Sequence, residues 1–594
     1  MRDSLPLSRR GVIAGSAFAA LTSGLAMPAW ARGIHEGTLA RKGSDVLSGE
    51  HLTMTVAEAR FRTGGRVGPA VTVNGTVPGP LLRLKEGQDL TVDLVNNSSE
   101  GTSIHWHGLL VPFLMDGVPG ITMPAVLPGE TFRYRFPIRQ AGTYWWHAHT
   151  LQEPMGHYGP IVIDPAEPDP VAYDREYVLM LTDWSPMHPH EIIKKLKVAD
   201  APFNFNKTTW TDDYPLSRKE RLMWARMRMM PTDISDVTGS LYSYLVNGHG
   251  PDDGLELGFA TGEKIRLRII NGAAMTFFNV RIPGLPMTVI AADGQNVHPV
   301  ETDEFQIGVA ETYDVIIEPD GADAFAFVAE AMDRSGMAVA TLVSRPGAKA
   351  EVPALRETPL LTMADMGMNH GSGGSAGGSM AGMDHGPAPG SGQGGAAQPM
   401  TMSGGMNMRD TSLLPPNVKV GPGLDMVAMN PVDRTDYPGL GLDNVDHRVL
   451  TYRQLVAAKP NTDARSPTRL KEIHLTGDME RYMWSFDGKK FSAVSDDPIR
   501  FAYNERVRVK LVNDTMMAHP IHLHGHFVEL VNGASVGRQP LKHTVVVQPG
   551  GSATFDLTAN EPGDWAFHCH LIYHMHTGMF QVVTVRPLDG GEGR

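Results

Sequence analysis

The sequence predicts an all-β protein made of three copies of a Greek-key β-barrel or sandwich unit, and three observations predict it. The first is a repeated pair of alternating strands. "KEGQDLTVDLVNNSSEGTSIHWHG" (Lys85–Gly108), "TGEKIRLRIINGAAMTFFNVRI" (Thr261–Ile282) and "YNERVRVKLVNDTMMAHPIHLHG" (Tyr503–Gly525) each carry a polar turn, a period-2 run, an Asn-containing turn and a second strand. The second is a further repeat C-terminal to each copy. "LPGETFRYRFPIRQAGTYWWHAH" and "QPGGSATFDLTANEPGDWAFHCH" share a Pro-Gly turn, an alternating strand, a Gly turn, aromatics and a His-x-His, whereas "VAETYDVIIEP" in the middle copy keeps the strand without the histidines. The third is the scarcity of helical periodicity, for which "SRKERLMWARMRMM" is the main candidate.

The chain order follows from these repeats. Residues 1–31 read as an export signal: Ser8-Arg9-Arg10 precedes an apolar run that ends at Ala29-Trp30-Ala31, and the paired arginines suit a twin-arginine route to the periplasm. The run is broken by Gly and Ser and no second span of membrane length follows, so no stable membrane anchor is expected. The three β-units are expected at 45–166, 172–345 and 440–587. Between the second and third, residues 362–410 turn to Gly, Ser, Met and His, a composition that cannot bury a core and reads as a flexible insert. A formal charge of −13 argues against a nucleic-acid partner.

The chemistry is concentrated in four histidine clusters. These are His105-Trp-His107, His147-Ala-His149, His519-Pro-Ile-His522-Leu-His524, and His568-Cys569-His570 with His574 and Met579. Residues i and i+2 of a strand share a face, so each His-x-His projects two imidazoles side by side, and four pairs give eight. Core histidines without a partner are costly, and a metal cluster supplies a common one. Cys569 is the chain's one cysteine, an exported thiol that cannot form an internal disulfide. Cys569, His519 and His574 with a weak Met579 form the ligand set of a blue-copper electron-transfer site; zinc is the alternative for Cys and His, but a lone Cys with Met suits it poorly. Both neighbours of Cys569 belong to the larger cluster, so electrons collected singly can be stored on several metals and passed to O2.

With these motifs in this order, the chain resembles the multicopper oxidases, which implies three cupredoxin domains and four copper ions. By that resemblance His519, Cys569, His574 and Met579 hold type 1 copper and His105 and His522 hold type 2. The type 3 pair takes His107, His147, His149, His524, His568 and His570. "NGTVPGP" (Asn74–Pro80) matches the family's first domain, while "MRMMPTDISDVTG", "LTGDMERYMWSFDG" and the Met-rich insert are similar to the periplasmic copper-resistance protein A subgroup. Asp116, eleven residues after His105, lies where relatives have a carboxylate that helps protonate reduced oxygen; otherwise it is a turn residue before Gly117. The run after His574 has Met575 and His576 where many relatives have an acid, so no second proton relay is expected there.

The expected donor is Cu(I), with a small phenol as the alternative. Thioethers favour Cu(I), and Met363–Met408 holds nine methionines and two histidines among Gly and Ser, a segment suited to binding additional Cu(I). Met223, Met227, Met229 and Met230 form a second group, read as core packing or copper binding, and Met516, Met517 and Met575 adjoin the type 1 ligands. The expectation is a periplasmic cuprous oxidase for copper tolerance, with O2 as acceptor and periplasmic copper-handling proteins as candidate partners. The alternatives are a laccase-like phenol oxidase and a copper-sequestering protein with little turnover.

Overall fold

The computed structural model describes residues 38–209, 216–368, 409–491 and 497–587. The expected signal at 1–31 and most of the expected insert lie outside the described residues. Three pairs of sheets follow one another along the chain, over 41–164, 175–343 and 469–586, and each pairs a six-stranded with a five-stranded sheet. Connections cross over as a Greek key requires. In the third pair, strand Arg469–Asp478 runs parallel to Glu505–Asn513, which pairs antiparallel with the distant Ser552–Ala559. The protein is all-β, as the alternation predicts.

In the first pair, strand β1 (His105–His107) and strand β2 (Gly142–His147) are antiparallel with His105 opposite His147 and Trp106 opposite Trp146. Alternation sends Trp106 into the first hydrophobic core, with Leu90, Val92 and Phe136, and turns the flanking histidines to the other face. Within the stretch of the second pair, after its strand Arg175–Trp184, comes helix α1 (Arg218–Met227), the "SRKERLMWARMRMM" segment. Ser217 caps it, and Glu220 completes a capping box.

The third pair contains β3 (Arg469–Asp478), β4 (Met483–Phe486), β5 (His519–Leu523) and β6 (Gly563–Cys569). Strands β5 and β6 are antiparallel with His522 opposite His568 and Ile521 opposite Cys569. A short helix α2 (Ile572–Thr577) then turns the chain back. One continuous core runs through the second and third pairs, with Trp484, Trp565 and Cys569, and takes in residues of the first, among them Phe61 and Trp145. The first residues of the expected insert also pack: Met366 is buried, and Asp365 accepts from Thr362 N (2.8 Å) and pairs with Arg434 (2.7 Å). No helix among the described residues is long and apolar enough to cross a membrane.

Candidate metal centre

Alternation along β6 divides the chemistry. Cys569 faces one side with His519 of β5, and His568 faces the other with His522. On the first side, Cys569 Sγ lies 3.6 Å from His519 Nδ1 and 3.8 Å from His574 Nδ1, and the two imidazole nitrogens are 3.2 Å apart. Helix α2 carries His574 back to this point. Met579 is fully buried behind it, its backbone tied to His574 O (2.9 Å) and to Cys569 N (3.1 Å). Three of the residues expected from sequence, His519, Cys569 and His574, thus bring their ligand atoms together, and the Met579 backbone is held beside them.

The far nitrogens of the two histidines are held. His519 Nε2 is 2.7 Å from Thr515 Oγ1, and His574 Nε2 donates to Asp236 Oδ2 at 2.7 Å. Asp236 also accepts from Tyr482 Oη (2.7 Å), and Trp484 stacks on His574 with ring centroids 3.8 Å apart and 21° between planes. These supports fix tautomer and orientation and leave both Nδ1 atoms aimed at the thiol. Burial pushes the Cys569 thiol well up and His519 well below its ordinary range, with neighbouring His574 adding to the latter. A fully buried thiol at that position gains a counter-charge when a cation binds.

On the other side the remaining eight histidines meet. His149, His524 and His568 form one triad, with Nε2 of His568 3.0 Å from that of His524 and 3.3 Å from that of His149. His105, His107 and His147 form another group of potential ligands, and His105, His522 and His524 a third. His570 lies 4.8 Å from the His107 ring and 4.9 Å from that of His147. The expectation that each His-x-His lies on one strand holds for β1. Strands β2, β5 and β6 end at His147, Leu523 and Cys569, so His149, His524 and His570 lie just past strand ends. There the backbone leaves the pleat.

The nitrogens facing away from the centre are bonded. His105 Nδ1 donates to Asp116 O (2.8 Å), His522 Nδ1 to His543 O (2.6 Å), His568 Nδ1 to Cys569 O (2.9 Å) and His524 Nδ1 to Asp116 Oδ2 (2.9 Å). The inward atoms are not. His105 Nε2, His107 Nδ1, His147 Nε2, His522 Nε2 and both nitrogens of His570 have no hydrogen-bond partner among the described residues. Burial, with adjacent imidazoles adding to it, holds His107, His147, His149, His522, His524 and His570 well below the ordinary histidine range, and burial pushes His568 down to about 3. Buried polar atoms are almost always satisfied. A ring of neutral nitrogen donors with unsatisfied lone pairs therefore fits bound metal ions, and imidazole with one thiolate and one thioether fits copper.

Asp116 sits behind this cluster. Its Oδ1 accepts no hydrogen bond among the described residues but lies 3.4 Å from His105 Nδ1, and the side chain is fully buried between His105 and His524. Gly117 follows at φ +91°, where a Cβ would lie 1.8 Å from Ile104 O. Three supports have no sequence signature. Glu153 places Oε2 2.7 Å from His147 Nδ1; it lies four residues past the His-Ala-His motif, at the start of the 3-10 turn Glu153–Met155. His543 stands alone in "LKHTVVV", yet its Nδ1 lies 3.1 Å from His107 Nε2. Asp236 comes from "PTDISDVTG", whose partner across the site, "LTGDMERYMWSFDG", supplies Tyr482 and Trp484.

A cavity of about 300 Å³ adjoins the Cys569 site. Met229, Met230, Met426, Met479 and Met516 line it, together with Trp484 and Thr515. The methionines of α1 and its C-terminal end overlap in role: Met223, Met227 and Met229 pack against the core, and Met229 and Met230 line the cavity. Of the lining carboxylates, Asp514 is committed to His474 (2.5 Å), Glu480 to Arg228 (2.8 Å) and Asp425 to Arg409 (2.6 Å). Asp233 is buried with Oδ1 lacking a partner among the described residues, and burial, with Asp236 and Asp200 nearby, raises it well above the carboxylate range.

Known proteins are similar to this chain over most of its length. Multicopper oxidase family profiles cover residues 55–168, 175–347 and 464–589. A copper resistance protein A homolog of Pseudomonas syringae pv. tomato is 45% identical, covering 97% of this chain and 99% of its own. Copper resistance protein A of Escherichia coli is 45% identical over 91% and 93%. Among solved structures, Fet3p, described as a multicopper oxidase that functions in iron import, aligns with TM-score 0.62 at 18% identity over 91% of this chain and 90% of its own. The laccase from Botrytis aclada aligns with TM-score 0.59 at 21% identity over 92% and 88%.

Proposed function

The chain belongs to the multicopper oxidase family, and from that premise we propose that it oxidises Cu(I) one electron at a time and reduces O2 to water, serving copper tolerance. Copper bound here would supply a one-electron acceptor at the Cys569 site and, together with three ions at the eight-histidine cluster, the four electrons that reduction of O2 to water requires. We assign one type 1 copper to His519, Cys569, His574 and Met579, one type 2 copper to His105 and His522, and the type 3 pair to His107, His147, His149, His524, His568 and His570.

The protein's own residues do the rest. Thioethers are soft, neutral ligands that bind Cu(I) without the desolvation cost of pairing fixed charges. The observation that carries the Cu(I) reading is the methionine cavity itself, whose walls include Thr515 and Trp484, the residues that touch His519 and His574. The peptide from Cys569 to His568 and His570 joins the two sites covalently. Asp116, bonded to His524 and flanking His105, is the residue we assign to protonating reduced oxygen. Additional Cu(I) is assigned to the Met-rich stretch 363–408.

Names of the relatives support copper resistance as the setting. The Arg9-Arg10 pair, the apolar run after it and Ala29-Trp30-Ala31 support export to the periplasm. The test is a comparison of Cu(I) with a small phenol as steady-state donor for the variant Met479→Leu/Met516→Leu. Loss of Cu(I) oxidation with phenol oxidation retained supports the reading. Equal loss on both donors, or no loss, contradicts it.

A further inference from the structure

We propose that Trp484 is both a wall ligand for Cu(I) in the methionine cavity and the path by which its electron reaches His574. The proposal rests on the Cu(I) reading above. Among the described residues, none of the candidate copper ligands His519, Cys569 and His574 lines the cavity, and neither does Asp236. The cavity meets the site through two lining residues, Thr515 at His519 and Trp484 at His574. Asp236 occupies the Nε2 edge of His574 and is itself bonded to Tyr482, so that edge is closed. The cavity presents the indole to His574, stacked at 3.8 Å and 21°.

The backbone is arranged for this ring. Gly477 of β3 stands directly opposite Trp484 of β4 in the antiparallel ladder. A Cβ there would lie 2.5 Å from Trp484 Cε3, so glycine allows the indole to lie over the neighbouring strand. Gly477 lines the same cavity. The buried indole N–H has no partner among the described residues, although a buried tryptophan usually finds one. Its place is set by its π faces and not by its polar edge. A cation that binds against the thioethers of this cavity sheds water, and an indole face is the strongest aromatic substitute for that hydration. The step balances simply: Cu(I) loses one electron and leaves as Cu(II), the copper held at Cys569 is reduced by that electron, and no proton moves.

The test uses the full-length, copper-loaded protein without oxygen. Bleaching of the blue absorption by Cu(I) is followed by stopped flow beside bleaching by hexacyanoferrate(II), an outer-sphere donor. Cu(I) affinity of the fully reduced protein is measured by competition with a chromophoric Cu(I) chelator. Trp484→Leu should lower Cu(I) affinity by about tenfold, and should slow bleaching at sub-saturating Cu(I) about tenfold more than it slows bleaching by hexacyanoferrate(II), the worth of one desolvated cation–π contact. Trp484→Phe should recover most of the loss. Gly477→Ala, which displaces the indole and keeps every ligand, should reproduce the donor-selective loss, and it carries the test if Trp484→Leu takes up no copper. Unchanged bleaching by Cu(I), or equal slowing with both donors, overturns the proposal. A wild-type protein whose blue band survives Cu(I) overturns the Cu(I) reading as well.

Discussion

Asp236 Oδ2 accepts a hydrogen bond from His574 Nε2 at 2.7 Å, although 338 residues separate them. A loop C-terminal to α1 thereby orients an imidazole of the third sheet pair and directs its Nδ1 to Cys569 Sγ.

Removing that support should loosen copper. Asp236→Ala is expected to lower retention at the Cys569 site by about 10- to 100-fold, as loss of an outer hydrogen bond to a ligating histidine does. Asp236→Asn keeps an acceptor and should retain more. Blue absorbance during titration with a copper chelator reads both variants.

Glu153 plays the matching part at His147, with Oε2 2.7 Å from Nδ1. Burial, reinforced by Asp183, raises its carboxyl well above the carboxylate range. Glu153→Gln should keep near-normal copper content, whereas Glu153→Leu should lower cluster copper affinity by about 10-fold or more. Metal content per chain after dialysis separates the two.

Lys542 joins the second and third sheet pairs: it is fully buried, 2.8 Å from Glu311 and 3.1 Å from Asp293. Lys542→Met leaves two buried carboxylates without their cation and should destabilise the protein by about 3–5 kcal/mol. A lowered thermal midpoint of the copper-loaded protein checks it.

His474 gives a pH signature. Burial opposes its charge, but Asp514 at 2.5 Å and Glu472 at 3.2 Å outweigh that and hold it above its ordinary 6.5. Folding favours the protonated form, so this stabilisation is complete below about pH 6.5 and fades as pH rises through the elevated folded value. His474→Gln should flatten that part of the stability–pH curve, measured by denaturant unfolding from pH 5 to 9.

Much of this is legible in the sequence because strand chemistry is local. Alternation in "DLTVDLVN" and "ERVRVKLVN" marks strands, and His-x-His beside the lone Cys569 marks ligands at short spacing. The hidden part acts at long range. Glu153, His543 and Asp236 are single residues without a spacing to mark them, and they reach the site through register and loop packing. The placing of His149 and His570 just past a strand depends on where β2 and β6 end, which periodicity places least well. Met229 and Met230 are equally ambiguous in sequence, since a cavity wall and a core face share one composition.

The most direct test of the account is O2 uptake with Cu(I) as sole donor, on wild type and on Cys569→Ser. Wild type should consume about one O2 for every four Cu(I), the electron balance of reduction to water, while Cys569→Ser loses the blue absorption and the uptake together. Activity and colour that survive in Cys569→Ser, or a blue wild-type protein that takes up no O2, would contradict it.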